Sequence, residues 1–197
     1  MITKQDILKC SIENFTKFGS KQFTLDELAS KLGISKKTIY QYFDSKQNLV
    51  TESLIALQDQ YMADVHVILE DSETDAIEKI IITYKRGLEY LIDFKPSFLF
   101  GIKKYYPEAD IAYTVFSEKL VRQVAYNLLL EAQENKLIKP DVNIDLISEL
   151  YLFRVDHILF KQNNLFEKHS LSELLKHLII FNLRGITVSN YSNAYFE

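Results

Sequence analysis

Apolar residues recur at intervals of three and four positions along most of the chain, which is the spacing of one face of an α-helix. Capping residues, together with the few Gly and Pro residues, mark where the predicted helices begin and end. The predicted helices cover residues 3–18, 24–32, 35–43, 45–69, 75–94, 96–106, 107–136, 144–162 and 171–188. The pattern therefore predicts an all-α protein of about nine helices.

The second and third predicted helices have unusually clear boundaries. Thr24 is a good N-cap, and Glu27 three positions later completes a capping box, in which each side chain binds a free backbone N–H of the other residue. Gly33 ends this helix, because the residue after a helix often needs a positive φ. Ser35 caps the next helix. Two short helices joined in this way by a glycine turn form a helix-turn-helix motif.

The second helix of this motif has one apolar face and one basic face. At 100° per residue, Ile39 and Phe43 point toward the small core, whereas Lys37 and Gln41 point away from it. The outward face has no acidic residue before position 44, and it suits the base edges and phosphates of a DNA major groove. A surface helix that is basic by chance is the alternative, and the surrounding motif favours DNA binding.

The N-terminal stretch resembles the TetR family of transcriptional regulators over roughly 60 residues. The matching residues are Ile7-Leu8, Phe15, Gly19, Thr24-Leu25-Asp26-Glu27-Leu28-Ala29, Leu32-Gly33-Ile34-Ser35, Thr38-Ile39-Tyr40, Tyr42-Phe43, Ser45-Lys46 and Leu49. The resemblance implies a dimeric DNA-binding protein, usually a repressor that a small ligand releases from its operator. It also implies a phosphate contact at Lys46. Lys37 departs from the family pattern, which often has a small residue or proline there.

Motif and resemblance together predict which residues contact a double-stranded DNA operator. The predicted DNA-binding residues are Thr24, Ser35, Lys36, Lys37, Thr38, Tyr40, Gln41, Tyr42 and Lys46. The lysines are expected to hold phosphate or guanine, and the others to touch bases or backbone. Two heads would then bind the half-sites of a near-palindrome.

Charge is distributed unevenly between two predicted domains, a head at residues 1–48 and a helical ligand-sensing and dimerisation domain at residues 49–197. The net charge of −4 is unexpected for a DNA-binding protein. Residues 1–50, however, carry 8 Lys and 5 Asp or Glu, and residues 51–197 carry 15 Lys or Arg and 22 Asp or Glu. A basic head and an acidic body would orient the molecule on DNA.

Several other classes of protein are disfavoured. The single cysteine, Cys10, excludes an intrachain disulfide and is expected to be a small core residue. No signal peptide or long apolar run is found, so a cytoplasmic protein without a membrane segment is expected. No Gly-rich phosphate loop or catalytic motif is present, and no two histidines have helical metal-site spacing. We therefore expect that the protein is not an enzyme and that it binds neither a cofactor nor a metal ion.

Aromatic residues are abundant in the middle helices and suit an apolar ligand pocket with polar handles. Each of them, taken alone, is better explained as an ordinary core residue, so the pocket itself is implied mainly by the family resemblance. The predicted ligand-binding residues are Tyr84, Phe98, Tyr105, Tyr113, Phe116 and Tyr126.

The last two predicted helices, residues 144–162 and 171–188, are apolar on more than one side. They are expected to form a four-helix homodimer contact, although full burial within one subunit would give the same pattern. The sequence favours a ligand-released repressor. A ligand-responsive activator or a protein-binding adaptor with the same head remains open.

Overall fold

The computed structural model describes residues 2–92, 94–151 and 165–196, and within them the chain is all-α, as predicted. The helices are α1 (Lys4–Phe18), α2 (Leu25–Leu32), α3 (Lys36–Tyr40), α4 (Lys46–Glu70), α5 (Ala76–Ile92), α6 (Pro96–Tyr105), α7 (Pro107–Lys119), α8 (Tyr126–Glu134), α9 (144–151), α10 (Leu165–Lys168), α11 (Leu171–Leu175) and α12 (Phe181–Ile186). A π-helical segment at Leu120–Ala125 joins α7 to α8, and another at Lys176–Ile180 joins α11 to α12. The described residues therefore form about ten continuous helices.

The described chain divides into two compact units. The first comprises residues 2–60 and 94–116, and the second comprises residues 61–92, 117–151 and 165–196. Helix α4 begins in the first unit and ends in the second. The domain boundary at residue 48 that the sequence suggested stays a prediction.

In the first unit, α1, α2, α3 and α6 pack around a small apolar core. The core side chains include Ile7, Phe15, Leu28, Ile39 and Phe43. The loop after α1 is attached to α6, because the hydroxyl of Tyr106 donates a hydrogen bond to the carbonyl of Ser20 at 3.1 Å. The backbone N–H of Lys95 also donates to the carbonyl of Thr16 at 2.9 Å.

In the second unit, α5 provides a strongly buried apolar face. Ile77 and Ile81 are fully buried, and α5 packs against α8 and α11. Asp75 accepts hydrogen bonds from the backbone N–H of Glu78, at the start of α5, and from the hydroxyl of Tyr191 in the C-terminal segment. Asp75 thus caps the start of α5 and also holds the C-terminal segment.

Helix α3 is shorter than the predicted 35–43, and some apolar side chains of other helices are exposed. Helix α3 ends at Tyr40, because the backbone then tightens into a turn with the N–H of Gln41 bonded to the carbonyl of Thr38. Phe18, at the end of α1, is 40% exposed and stacks on Phe23. Ile111 and Val115, which follow the apolar spacing of α7, are 64% and 62% exposed.

The predicted dimer helices are only partly described. Residues 144–151 and 171–186 are helical, with the π-helical segment described above. The part of the first predicted helix at residues 152–162 lies outside the described residues. Among the residues that are described, no helix is long and apolar enough to cross a membrane.

Candidate nucleic-acid interface

The boundaries of α2 follow from the side chains at its two ends. The hydroxyl of Thr24 accepts a hydrogen bond from the N–H of Glu27 at 3.2 Å, and the carboxylate of Glu27 accepts one from the N–H of Thr24 at 2.6 Å. Gly33 has φ +64°, a conformation that side-chain-bearing residues rarely adopt. The capping box and the glycine turn predicted from the sequence are therefore confirmed.

Helix α3 presents the two faces that its sequence predicted. Ile39 and the following Phe43 are 1% and 2% exposed, so they fix this short helix to the core. Tyr40 is 48% exposed, and Lys37 and Gln41 are exposed as well. An exposed phenol, amide and ammonium thus lie together on the side of the helix that faces solvent.

Three predicted DNA-binding residues at the start of α3 already have partners within the protein. The Ser35 hydroxyl oxygen accepts a hydrogen bond from the N–H of Thr38 at 3.1 Å, and the two hydroxyls lie 2.9 Å apart. The ammonium of Lys36 forms an ion pair with Asp26 of α2 at 3.1 Å. These contacts position the first turn of α3 relative to α2.

Tyr42 also has a partner within the protein. Its hydroxyl donates a hydrogen bond to the carbonyl of Ile2 at 3.0 Å, and its side chain is half-buried. This contact, like that of Asp26, was not predicted from the sequence. Neither partner is close in sequence, and no local pattern indicates such pairs.

Lys46 lies at the start of α4, in the position expected for a phosphate contact. Ser45 caps this helix by accepting a hydrogen bond from the N–H of Asn48 at 3.0 Å. The ammonium of Lys46 donates to the carbonyl of Lys21 at 3.4 Å. Partial burial lowers the pKa of Lys46, and the nearby carboxylate of Glu27 opposes this effect.

The comparisons with known proteins agree with this geometry. The family described as "Bacterial regulatory proteins, tetR family" matches residues 7–52, which include all of α2 and α3. The HTH-type transcriptional regulator YvaF of Bacillus subtilis (strain 168) is 28% identical over 178 residues, covering 87% of this chain and 90% of that protein. The helix-turn-helix region belongs to the TetR family. This agrees with the predicted DNA-binding transcriptional regulator, and the regulators of this family are not enzymes.

Solved structures show that the similarity of fold extends beyond residues 7–52 to most of the chain. FadR of B. subtilis, solved in complex with stearoyl-CoA, has a TM-score of 0.71 at 17% identity, covering 93% of this chain and 100% of FadR. The reduced form of NemR from E. coli has a TM-score of 0.76 at 14% identity, covering 94% of this chain and 97% of NemR. At these identities the likeness is one of fold.

The six predicted ligand-binding residues are distributed over both units of the TetR-family protein. Tyr84 and Tyr126 belong to the second unit, and the ring of Tyr84 meets that of Tyr151 edge-on at 5.9 Å. Phe98, Tyr105, Tyr113 and Phe116 belong to the first unit. Phe98 is buried, Tyr113 and Phe116 are half-buried, and Tyr105 is 38% exposed. Their role in ligand binding stays a prediction.

An open cavity of about 370 Å³ lies in the second unit and contains none of these six residues. It is lined by Lys139, Arg184, Thr187, Val188, Ser189, Tyr191, Ser192 and Phe196. Across the described part of the chain, no three His, Cys, Asp or Glu residues are grouped in a way that could hold a metal ion.

Proposed function

We propose that this TetR-family regulator is a homodimeric repressor, released from a near-palindromic operator by a small ligand. The observation that carries the proposal is the outward face of α3, where Lys37, Tyr40 and Gln41 are exposed without a carboxylate among them. Such a face supplies hydrogen-bond donors to base edges and positive charge to the two phosphate strands of a major groove.

The distribution of charge supports this orientation on DNA. Residues 1–50 carry three more basic than acidic residues, whereas residues 51–197 carry seven more acidic than basic ones. Attraction to phosphate is therefore concentrated in the head, and the acidic remainder is repelled. We propose residues 1–48 as the DNA-binding domain and residues 49–197 as the ligand-sensing and dimerisation domain.

Exposed apolar side chains on α9 and α12 support dimerisation through the predicted helices. Leu146 and Leu150 of α9 are 52% and 40% exposed, and Phe181 of α12 is 47% exposed. The opposite sides of these helices are buried at Ile144 and Leu183. A second copy of the chain would cover the exposed side about a two-fold axis.

The ligand would release the operator if it binds better to a dimer whose two DNA-binding heads are spaced too widely for the half-sites. A ligand shifts such an equilibrium only by its difference in affinity for the two forms. The predicted ligand-binding residues are the six aromatic residues named above. FadR of B. subtilis binds stearoyl-CoA on the same fold, so a long-chain acyl-CoA is the first compound to test. Dissociation of the operator complex on adding it would identify a ligand.

The DNA-binding proposal is tested with the purified protein and duplex DNA from upstream of its own gene. We expect saturable binding to one near-palindromic site, weakening steeply as salt rises. Lys37→Ala and Tyr40→Ala are each expected to abolish operator binding and to leave the dimer intact. Lys85→Ala, which removes an exposed lysine of α5 in the second unit, is the matched control and should bind as the wild type does.

Two results would contradict the proposal. Unchanged operator affinity in both α3 variants would exclude docking through this face. Ligand-dependent activation of a reporter placed behind the operator would identify the protein as an activator instead.

The dimer interface is tested separately by introducing a charge. Leu150→Glu and Phe181→Glu are expected to convert the dimer to a monomer in analytical ultracentrifugation, because each would place an unpaired carboxylate in the interface. Val67→Glu is the control, since Val67 is 71% exposed and lies on neither predicted dimer helix. Dimers in all three variants would place the interface elsewhere.

A further inference from the structure

A cluster of lysines surrounds the ring of Tyr105 in the first unit. The ammonium of Lys21, in the loop between α1 and α2, lies 4.1 Å from the centroid of the Tyr105 ring. The ammonium of Lys104, in α6, lies 5.3 Å from the same centroid. Lys46 joins the cluster from the side of α4, because its ammonium donates to the carbonyl of Lys21. These four residues are called the Tyr105 cluster.

The positive charge of the Tyr105 cluster is only partly offset within the described protein, by the Glu27 carboxylate near Lys46. None of its three lysines forms an ion pair with a carboxylate of the described residues. Lys21 and Lys104 are exposed, and Tyr105 is 38% exposed. Hydrogen bonding to Lys21 and Lys104 lowers the pKa of the Tyr105 phenol, which agrees with a positive local potential. Like charges held together in this way favour an external anion.

The position of Lys46 indicates which anion this is. Lys46 is the expected phosphate contact, and Lys21 lies directly beside it through the hydrogen bond to its carbonyl. A phosphate strand that reaches Lys46 therefore passes close to the backbone of Lys21, whose flexible side chain is long enough to reach an adjacent phosphate. Duplex DNA presents a phosphate about every 1.7 Å of helix axis when both strands are counted, so further phosphates are available to neighbouring cations.

We propose that Lys21 and Lys104 form a second phosphate-binding surface, which extends the operator contact from Lys46 to adjacent phosphates of the DNA backbone. The inference rests on the proposed function, because it requires an operator. Tyr105 acts as a positioning residue: its ring and hydroxyl hold both ammonium groups, and each ammonium, with three N–H donors, keeps donors for phosphate. This assigns Tyr105 to DNA binding and removes it from the proposed ligand pocket.

The test measures operator affinity of the full-length protein as a function of salt concentration. The test variant Lys21→Gln/Lys104→Gln removes two charges from the Tyr105 cluster. The control variant Lys85→Gln/Lys119→Gln removes two charges from exposed positions of the second unit that lie on neither predicted dimer helix. Both variants have the same net charge, so they differ only in whether the lost charges lie beside the proposed phosphates.

The expected result is a smaller salt dependence in the test variant alone. Each lost phosphate contact lowers the slope of log affinity against log salt by about 0.9. A dimer losing one or two contacts per subunit should therefore lose roughly 2 to 4 from the slope. Affinity should fall at least about tenfold at low salt and much less at high salt. Lys21→Arg/Lys104→Arg, which keeps both charges, should retain the wild-type slope.

The inference and the proposed function fail in different ways. If the wild type binds its operator and the test variant has the same slope as the control variant, the second phosphate-binding surface does not exist. If the wild type shows no saturable operator binding, the proposed function is wrong and the inference falls with it. If the arginine variant loses slope as the glutamine variant does, the lysines act on folding rather than on phosphate.

Discussion

The hydroxyl of Tyr42 donates a hydrogen bond to the backbone carbonyl of Ile2 over 3.0 Å, although the two residues are 40 positions apart in sequence. Lys4, at the start of α1, makes two further contacts nearby. Its ammonium lies 5.2 Å from the centroid of the Phe43 ring and forms an ion pair with Glu52 of α4. The start of α1 is therefore attached to the end of the helix-turn-helix. Tyr42 holds the head together, whatever it also contributes to DNA binding.

Replacing Tyr42 by Phe is expected to reduce the stability of the head. The half-buried hydroxyl would be lost and the carbonyl of Ile2 would lose its donor, so the free energy of unfolding should fall by about 1 kcal/mol. Operator affinity should fall less than in Tyr40→Ala, because the outward face of α3 is unchanged. Urea denaturation and DNA titration of the same preparations measure the two effects.

Tyr40→Phe is the matched control for this prediction. It removes the same group from the neighbouring tyrosine, which is 48% exposed, so its free energy of unfolding should stay within about 0.5 kcal/mol of the wild type. Equal stability losses in the two variants would show that the Tyr42 hydrogen bond has no special role.

The parts of the site that could be predicted from sequence are those determined by neighbouring residues. The cap at Thr24, the turn at Gly33 and the opposite faces of α3 depend on residues three or four positions apart, and all are confirmed. The partners of Lys36 and Tyr42 were missed because they come from other elements. Local periodicity carries no information about which distant residue fills such a position.

The same limit applies to the exposed apolar residues. Ile111 and Val115 follow the apolar spacing of α7 yet are exposed, because periodicity gives a face and does not show what covers it. The prediction that Tyr105 lines a ligand pocket rests on its aromatic character and on the family resemblance. Its lysine neighbours at positions 21 and 104 come from a loop and from the same helix, and only their meeting in space suggests another role.

A pH-dependent contribution to stability is expected at Asp64, which joins α4 to α5. Its carboxylate accepts hydrogen bonds from the hydroxyl of Tyr90 and from the guanidinium of Arg86, both at 2.8 Å. The Tyr90 hydrogen bond, followed by the hydrogen bond and charge of Arg86, lowers the pKa of Asp64 below its ordinary value, against a partial opposing effect of desolvation.

A carboxyl group with a lower pKa in the folded state stabilises the protein above its unfolded-state pKa. This stability is lost as the pH falls through the folded-state pKa. The stability difference between the wild type and Asp64→Asn should therefore be constant from neutral pH to about pH 5 and shrink below about pH 4. Urea denaturation across this range measures it. Asp59→Asn, which neutralises an exposed carboxylate elsewhere on α4, serves as the control. A difference for Asp64→Asn that persists unchanged into acid would contradict the prediction.

Gly87 lies in the middle of α5, where the phenol of Tyr61 approaches the backbone. A Cβ added to Gly87 would lie 3.3 Å from the Tyr61 hydroxyl oxygen and 3.6 Å from the nearest ring carbon. That hydroxyl donates to the carbonyl of Thr83 at 3.1 Å, and the ring is buried, so it has little room to move. The absence of a Cβ at position 87 therefore permits this close contact between α4 and α5.

Gly87→Ala should show opposing effects that a double-mutant cycle can separate. Alanine in a helix interior raises the free energy of unfolding by about 0.8 to 1 kcal/mol relative to glycine. Where Tyr61 is present, crowding of its hydroxyl should cancel most of that increase. In the Tyr61→Phe background the closest atom is absent, so the gain should appear, with a coupling of about 0.5 to 1 kcal/mol. Gly185→Ala in α12, where an added Cβ meets nothing within 4 Å, should have the same effect in both backgrounds. If the effects of Gly87→Ala and Tyr61→Phe on the free energy of unfolding simply add, the Tyr61 contact does not require glycine at position 87.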